Sequence, residues 1–269
     1  MVDRHPNGQR RGARRHDQRP ESCGTAERAR QEPPGRAQQV PAAVRAQSNR
    51  ASAENFQWPR HLVVEGPIGV GKTTLAHRLA EALGHSLLLE PVLENPFLDR
   101  FYLSKGANAL QTQLFFLLTR TQVIAEAPED DLLDSRLVAD FLMEKDRLFA
   151  RLTLDENEFS LYDRIHAALD PKPLRPDLVI YLQAPVSVLQ RRIRRRGITF
   201  EQTIEANYLD QVATAYTRFF HAYDQAPLLV VNAAEIDFAN NPAHLQALLD
   251  HIKRMEGGRS YFNPNPTLI

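Results

Sequence analysis

Residues 66–74 read Gly66-Pro67-Ile68-Gly69-Val70-Gly71-Lys72-Thr73-Thr74, directly after the short apolar run His61-Leu-Val-Val-Glu65. The pattern Gly-x-x-x-x-Gly-Lys-[Ser/Thr] leaves a strand and opens a helix, the context of a phosphate-binding loop. Gly66, Gly69 and Gly71 permit torsions that let successive backbone N–H groups turn inward onto phosphate oxygens. Lys72 supplies a mobile cation for the β- and γ-phosphates, and Thr73 a hydroxyl ligand for Mg²⁺. The helix that follows aligns Leu75, Leu79 and Leu83 on one face and stops at Gly84. Its N-terminus adds a partial positive charge beneath the phosphates. The stretch therefore predicts a nucleoside triphosphate site at the first strand-to-helix turn.

Working outward, apolar runs alternate with helical patterns. The strands expected are 62–65, 86–90, 136–139, 178–183 and 228–232, mostly short and apolar throughout, as buried parallel strands are. Helical patterns cover 73–83, 109–126, 142–157, 186–196, 201–223 and 242–255. This alternation predicts a three-layer α/β domain around a five-stranded parallel sheet, with ligands at the carboxyl ends of the strands. Residues 257–269, rich in Gly, Pro and Asn, read as a loop-like tail in which Tyr261 and Phe262 could serve as anchors.

Composition narrows the class. The 269 residues carry no net charge, but residues 1–55 hold 11 Arg against 6 Asp and Glu. That segment has hardly a large apolar side chain, so burial cannot offset its chain entropy, and it reads as a disordered extension. Acidic residues recur in it and no aromatic precedes Phe56, which disfavours a nucleic-acid arm or a transit peptide. No apolar run of about 18 residues exists to span a membrane. The single Cys23 excludes an internal disulfide framework and fits a reducing, cytoplasmic setting.

Several side chains beyond the loop are placed for chemistry. Glu90 closes the second strand ahead of Pro91, where a base for an attacking hydroxyl would sit. Asp140 ends the third strand and suits Mg²⁺ alongside Thr73, since Mg²⁺ takes one or two carboxylates plus phosphate oxygens. Gln113, Leu117 and Arg120 share one face of the 109–126 helix, a face able to read the edge of a base. The run Glu144-Lys-Asp-Arg147 has the look of a solvated helix face. Arg191-Arg-Ile-Arg-Arg-Arg-Gly197 is short, follows an apolar helix start and ends in a glycine turn. A closing lid over a transferring phosphoryl group explains it better than nucleic-acid binding.

Taken together, these segments resemble the deoxynucleoside kinases over 62–262. The pieces that carry the likeness are the phosphate loop, Glu90-Pro-Val with Glu94-Asn-Pro-Phe-Leu, Tyr102, and the Gln113-x₆-Arg120 helix. They continue through Asp140 to Arg147, the Arg192-x₃-Arg196-Gly lid with Glu201-Gln, and Tyr208-Leu. The short loop between Glu90 and Tyr102 is most like the bacterial members, the deoxyguanosine and deoxyadenosine kinases.

The resemblance implies a P-loop kinase fold with an arginine-rich lid in residues 56–256, ATP and Mg²⁺ as donor and cofactor, and a deoxyribonucleoside acceptor. It implies that Glu90 takes the 5′-hydroxyl proton, that Tyr102 and Glu201 hold the sugar 3′-hydroxyl, and that Gln113 pairs with the base edge. Arg120 with Asp146 would favour purines or cytosine over thymine. Arg192 and Arg196, joined by Arg194, would contact the donor phosphates, Asp140 would be the acid of an Asp/Glu-Arg-Ser motif, and a homodimer would form. The chain departs from that motif: Phe141 and Leu142 stand where the family has Arg and Ser. Arg147 or Arg195 remains to substitute for the missing cation, or the reaction is slower. Two rival readings share the loop: a thymidylate-type nucleoside monophosphate kinase and a P-loop binding module without kinase activity.

Overall fold

The computed structural model describes residues 56–104, 106–126, 136–171, 173 and 175–264. The extension over 1–55, read from sequence as disordered, lies outside these residues. In chain order the strands are β1 (His61–Glu65), β2 (Ser86–Leu88), β3 (Leu137–Ala139), β4 (Leu178–Gln183), β5 (Leu228–Asn232) and β6 (Arg259–Phe262). The helices are α1 (Lys72–Leu83), α2 (Leu98–Leu103), α3 (Ala109–Glu126), α4 (Lys145–Thr153), α5 (Glu156–Leu169), α6 (Val186–Arg196), α7 (Ala206–His221) and α8 (Pro242–Lys253). The 3₁₀ turns Val92–Glu94 and Thr199–Thr203 complete the description.

The strands form one parallel sheet in the order β2-β3-β1-β4-β5-β6. Apolar residues of β1, β4 and β5 are buried against helices on both faces, which is why their sequences are continuously apolar rather than alternating. One face packs α1, α6 and α8 through Leu75, Leu79, Leu189 and Leu248. The other packs α7 through Val212, Tyr216 and Phe220. This is the expected three-layer α/β architecture.

The sheet has six strands, not five. The segment read as a loop-like tail supplies β6, whose Leu228↔Arg259 to Val231↔Phe262 register satisfies the free edge of β5. Phe262 is buried there while Tyr261 stays exposed, an alternation too short to stand out among Gly and Pro. The helical pattern over 142–157 also resolves differently, into α4 and the start of α5. Leu154 leaves the helix in an extended conformation, and Asp155 caps α5 reciprocally with Glu158. That capping box is visible in the sequence as Asp-x-x-Glu.

Parallel register brings three carboxylates side by side. Val63 and Leu88 both pair with Ala139, so the ends of β1, β2 and β3 are level. Glu65, Glu90 and Asp140 follow within two residues, on the edge of the sheet where α/β folds bind ligands.

Candidate active site

The phosphate loop closes against the sheet and α6. Gly66 adopts φ +148°, and a Cβ there would fall 2.4 Å from the Leu182 carbonyl oxygen. At Gly69 (φ +80°) a Cβ would meet Ile193 Cγ1 at 2.7 Å. No other residue type fits either position without moving backbone or core. Val70 packs into the core, while Pro67, Ile68 and Thr74 make up the rest of the loop and its entry into α1. Lys72 Nζ donates to the Gly66 carbonyl at 2.9 Å, so its ammonium lies across the loop mouth. Burial, and next the nearby Lys145 ammonium, lower the Lys72 pKa.

Thr73 Oγ1 donates to Asp140 Oδ2 at 2.6 Å, and Asp140 Oδ1 accepts the Glu90 backbone N–H at 2.8 Å. One carboxylate thus ties the end of β3 to the first turn of α1 and to Glu90, which lies two residues past β2 because that strand stops at Leu88 rather than at 90. A hydroxyl and a carboxylate oxygen already adjacent suit Mg²⁺, a hard cation that completes its shell with water and substrate phosphates. Among the described residues no group of three or more Asp, Glu, His or Cys side chains is arranged to hold a metal ion by itself. A cation held jointly with phosphates needs none.

Around Glu90 the site becomes a buried charge network. Arg120 Nη2 donates to Glu90 Oε1, and Arg120 Nη1 pairs with Asp146. Lys145 Nζ donates to Glu90 Oε2 at 2.6 Å and stands 3.4 Å from Glu65 Oε1. Arg120, Lys145 and Asp146 are each at most 3% exposed. Burial pushes the Glu90 carboxyl pKa up, but Arg120 and Lys145 outweigh it and hold the group down at about 2. Glu90 is therefore an anion throughout the neutral range. Networks of this kind cost desolvation that apolar packing would not, so they mark sites more often than they stabilise folds.

Glu65 shows what a settled buried carboxylate looks like. It accepts from the backbone N–H groups of Gly66 and Leu142 at 2.9 Å each, and from the Tyr216 hydroxyl at 2.9 Å.

Gln113 is buried two turns before Arg120 on α3, and its Nε2 donates to Thr153 Oγ1 at 3.2 Å. Gln113, Arg120 and Asp146 thus converge from α3 and α4. Tyr102, on α2, stacks on Phe200 at 6.1 Å between ring centroids and meets Tyr208 edge-on. Burial raises the Tyr102 pKa, and Tyr208 and then the Glu201 carboxylate add to the rise. Glu201 is itself buried and paired with Arg196.

The lid arginines divide. Arg192 donates to the carbonyls of Val70 (2.9 Å), Ala233 (2.7 Å) and Ile236 (2.8 Å), bracing the phosphate loop from behind. Arg194 is exposed and Arg196 half-exposed, at the far end of α6. Arg147, one of the two side chains expected to make up for Phe141, is paired with Asp163 at 2.6 Å on an exposed helix face. Phe141 itself is buried in the core between α3, α4 and α5. The side chain that sequence reading passed over is Lys145. It lies in a run that looks solvated, and its burial follows from α4 turning that face toward β1 and β2.

A family model for deoxynucleoside kinases matches residues 62–255, which span every element just described except β6 and the first residue of β1. The chain belongs to the deoxynucleoside kinase family. The deoxyguanosine kinase of Bacillus subtilis is 31% identical over 199 residues, covering 72% of this chain and 96% of the relative. A deoxyadenosine kinase of Lactobacillus acidophilus is 28% identical, covering 67% and 88%. Among solved structures, the deoxyadenosine kinase of M. mycoides with bound dCTP superposes with a TM-score of 0.62 at 23% identity. It covers 72% of this chain and all of that one, and confirms the fold. Within this kinase, the Glu90 network is joined to the phosphate loop through Asp140 at the ends of β1, β2 and β3. Among the described residues no helix is long and apolar enough to cross a membrane.

Proposed function

We propose that this kinase transfers the γ-phosphoryl group of ATP to the 5′-hydroxyl of a deoxyribonucleoside, with purines preferred, and that Glu90 receives the hydroxyl proton. The observation that carries the reading is the anionic Glu90 carboxylate, clamped by Arg120 and Lys145 and tied through Asp140 to the phosphate loop. Phosphoryl transfer asks little covalent chemistry of a protein, and positioning and charge do most of the work. Glu90 orients the hydroxyl for in-line attack and accepts its proton late, so a carboxyl of low pKa suffices. Lys72 and the lid cations Arg194 and Arg196 balance the phosphate charge, while Arg192 acts through the loop it braces. Mg²⁺ held by Thr73 and Asp140 would supply further neutralisation of the β- and γ-phosphates.

On the acceptor side, Tyr102 and Glu201 bind the sugar 3′-hydroxyl. Gln113 and the Arg120–Asp146 pair read the base edge through two-sided hydrogen bonding, which suits a purine. Residues 56–256 carry the activity in the cytoplasm, and loss of residues 1–55 leaves it unchanged. The half-exposed Leu118 on α3 and Leu161 on α5 support a homodimer formed through these helices, which light scattering checks.

The experiment is a competition between acceptors with ATP and Mg²⁺. Deoxyguanosine and deoxyadenosine are consumed ahead of thymidine, and deoxynucleoside monophosphates are not. Preferential consumption of a monophosphate would replace this reading with the thymidylate-type one. ATP turnover independent of any acceptor would replace it with a binding module.

A further inference from the structure

Lys145 is the least explained charge in the site. Glu65 already accepts three hydrogen bonds without it, from Gly66, Leu142 and Tyr216. Glu90 already has a full partner in Arg120. A buried lysine is costly to desolvate. Lys145 stands 3.4 Å from Glu65, and Lys72 donates to the carbonyl of Gly66, the next residue, so both ammonium groups gather at the end of β1 where the phosphate loop begins.

The position agrees. Lys72 spans the mouth of the phosphate loop, and Lys145 reaches Glu90 Oε2 at 2.6 Å from the other side. Its ammonium lies 5.9 Å from the centre of the Phe141 ring, at the residue where an arginine is missing from the motif beginning at Asp140. A lysine head on four methylenes can turn from one oxygen to another without moving its backbone, which a forked guanidinium does less readily.

We infer that Lys145 is a catalytic residue whose ammonium contacts the γ-phosphoryl group on its acceptor side as it passes to the 5′-hydroxyl. This rests on the deoxynucleoside kinase reading with Glu90 as base. In the step, the bond from the γ-phosphorus to the β,γ-bridging oxygen breaks and a bond to the 5′-oxygen forms. The 5′-hydroxyl proton goes to Glu90, and ADP leaves with the bridging oxygen's electron pair. Lys145 keeps its protons throughout. On the way it shares its charge between Glu90 Oε2 and an equatorial phosphoryl oxygen, stabilising the transferring group and loosening its hold on the base at the same moment.

The test uses the full-length protein with Lys145→Met and Lys145→Arg. Steady-state rates are measured with deoxyguanosine and ATP. Binding is measured for deoxyguanosine alone and for a bisubstrate compound that joins the nucleoside 5′-oxygen to adenosine through an oligophosphate. The Met variant is expected to lose about 100-fold or more in kcat, with both KM values within about threefold of the parent. Its affinity for the bisubstrate compound falls at least about tenfold while deoxyguanosine binding holds. Lys145→Arg recovers at least about tenfold of the lost rate. If the Met variant does not fold, Lys145→Gln, which keeps a donor toward Glu90 without the charge, is read the same way.

A kcat within about threefold of the parent overturns the inference. So does an equal loss of affinity for deoxyguanosine alone and the bisubstrate compound, which would make Lys145 a support of the pocket only. An active parent with insensitive Lys145 variants removes this inference and leaves the functional reading standing. A parent that phosphorylates no deoxynucleoside removes both.

Discussion

The proposed donor and acceptor sides of this kinase are built in opposite ways. The phosphate loop is one contiguous stretch shaped by backbone: two glycines that admit no Cβ, and a helix terminus with a left-handed Gly71 cap. The acceptor side is a cluster of charged side chains delivered by the β2 end, α3 and α4, with Glu90, Arg120 and Asp146 spread over more than fifty residues. A backbone site needs the right residue types in a row, and a side-chain site needs a fold to assemble it. The first is hard to break electrostatically and easy to break sterically; the second is the reverse.

That contrast can be broken by substitution. The largest effect is expected at the hub of the network. Arg120→Met leaves Glu90 and Asp146 as buried anions short of a partner and costs about 3–5 kcal/mol of stability. Chemical denaturation checks it, and a loss under about 1 kcal/mol would show the network to be solvated. Next, Glu90→Gln keeps the shape of the residue and removes the base, so kcat falls about 10²-fold, near 2.7 kcal/mol, with ATP binding intact. Unchanged turnover would take Glu90 out of the role.

On the donor side, Gly69→Ala introduces no charge at all. The strained torsion and the clash with Ile193 cost about 2 kcal/mol of stability and weaken ATP binding, readable by calorimetry. Retained ATP affinity would mean the loop is not held as described. The smallest effect belongs to base reading: Gln113→Leu is expected to lower discrimination among bases by about tenfold, near 1.4 kcal/mol, measured as ratios of kcat/KM. An unaltered ratio would place base selection elsewhere.

The same contrast explains what is legible in the sequence. The strand, the Gly-x-x-x-x-Gly-Lys-Thr loop and the helix after it are local, and so were legible together with the parallel α/β class. Asp140 beside Thr73 was legible because both follow strands in a sheet whose order brings β3 next to β1. Lys145 was not, because Glu144-Lys-Asp-Arg147 alternates charges as a wet helix face does. Only the packing of α4 shows that Lys145 and Asp146 turn inward while Arg147 turns out to Asp163. Arg192 was expected to contact the donor phosphates; its role as a brace was not legible, since its three carbonyl partners lie on the loop and after β5. The sixth strand was missed because β6 gains its order from the free edge of β5 and not from its own four residues.

The central claim is that the two sides meet at a 5′-hydroxyl. The most direct measurement incubates the protein with ATP, Mg²⁺ and either deoxyguanosine or its 2′,5′-dideoxy counterpart, with phosphorylated product followed by mass spectrometry. The account predicts deoxyguanosine 5′-monophosphate from the first and no phosphorylated product from the second. Phosphorylation of the analogue that lacks the 5′-hydroxyl, or of neither compound or any other deoxynucleoside, would contradict it.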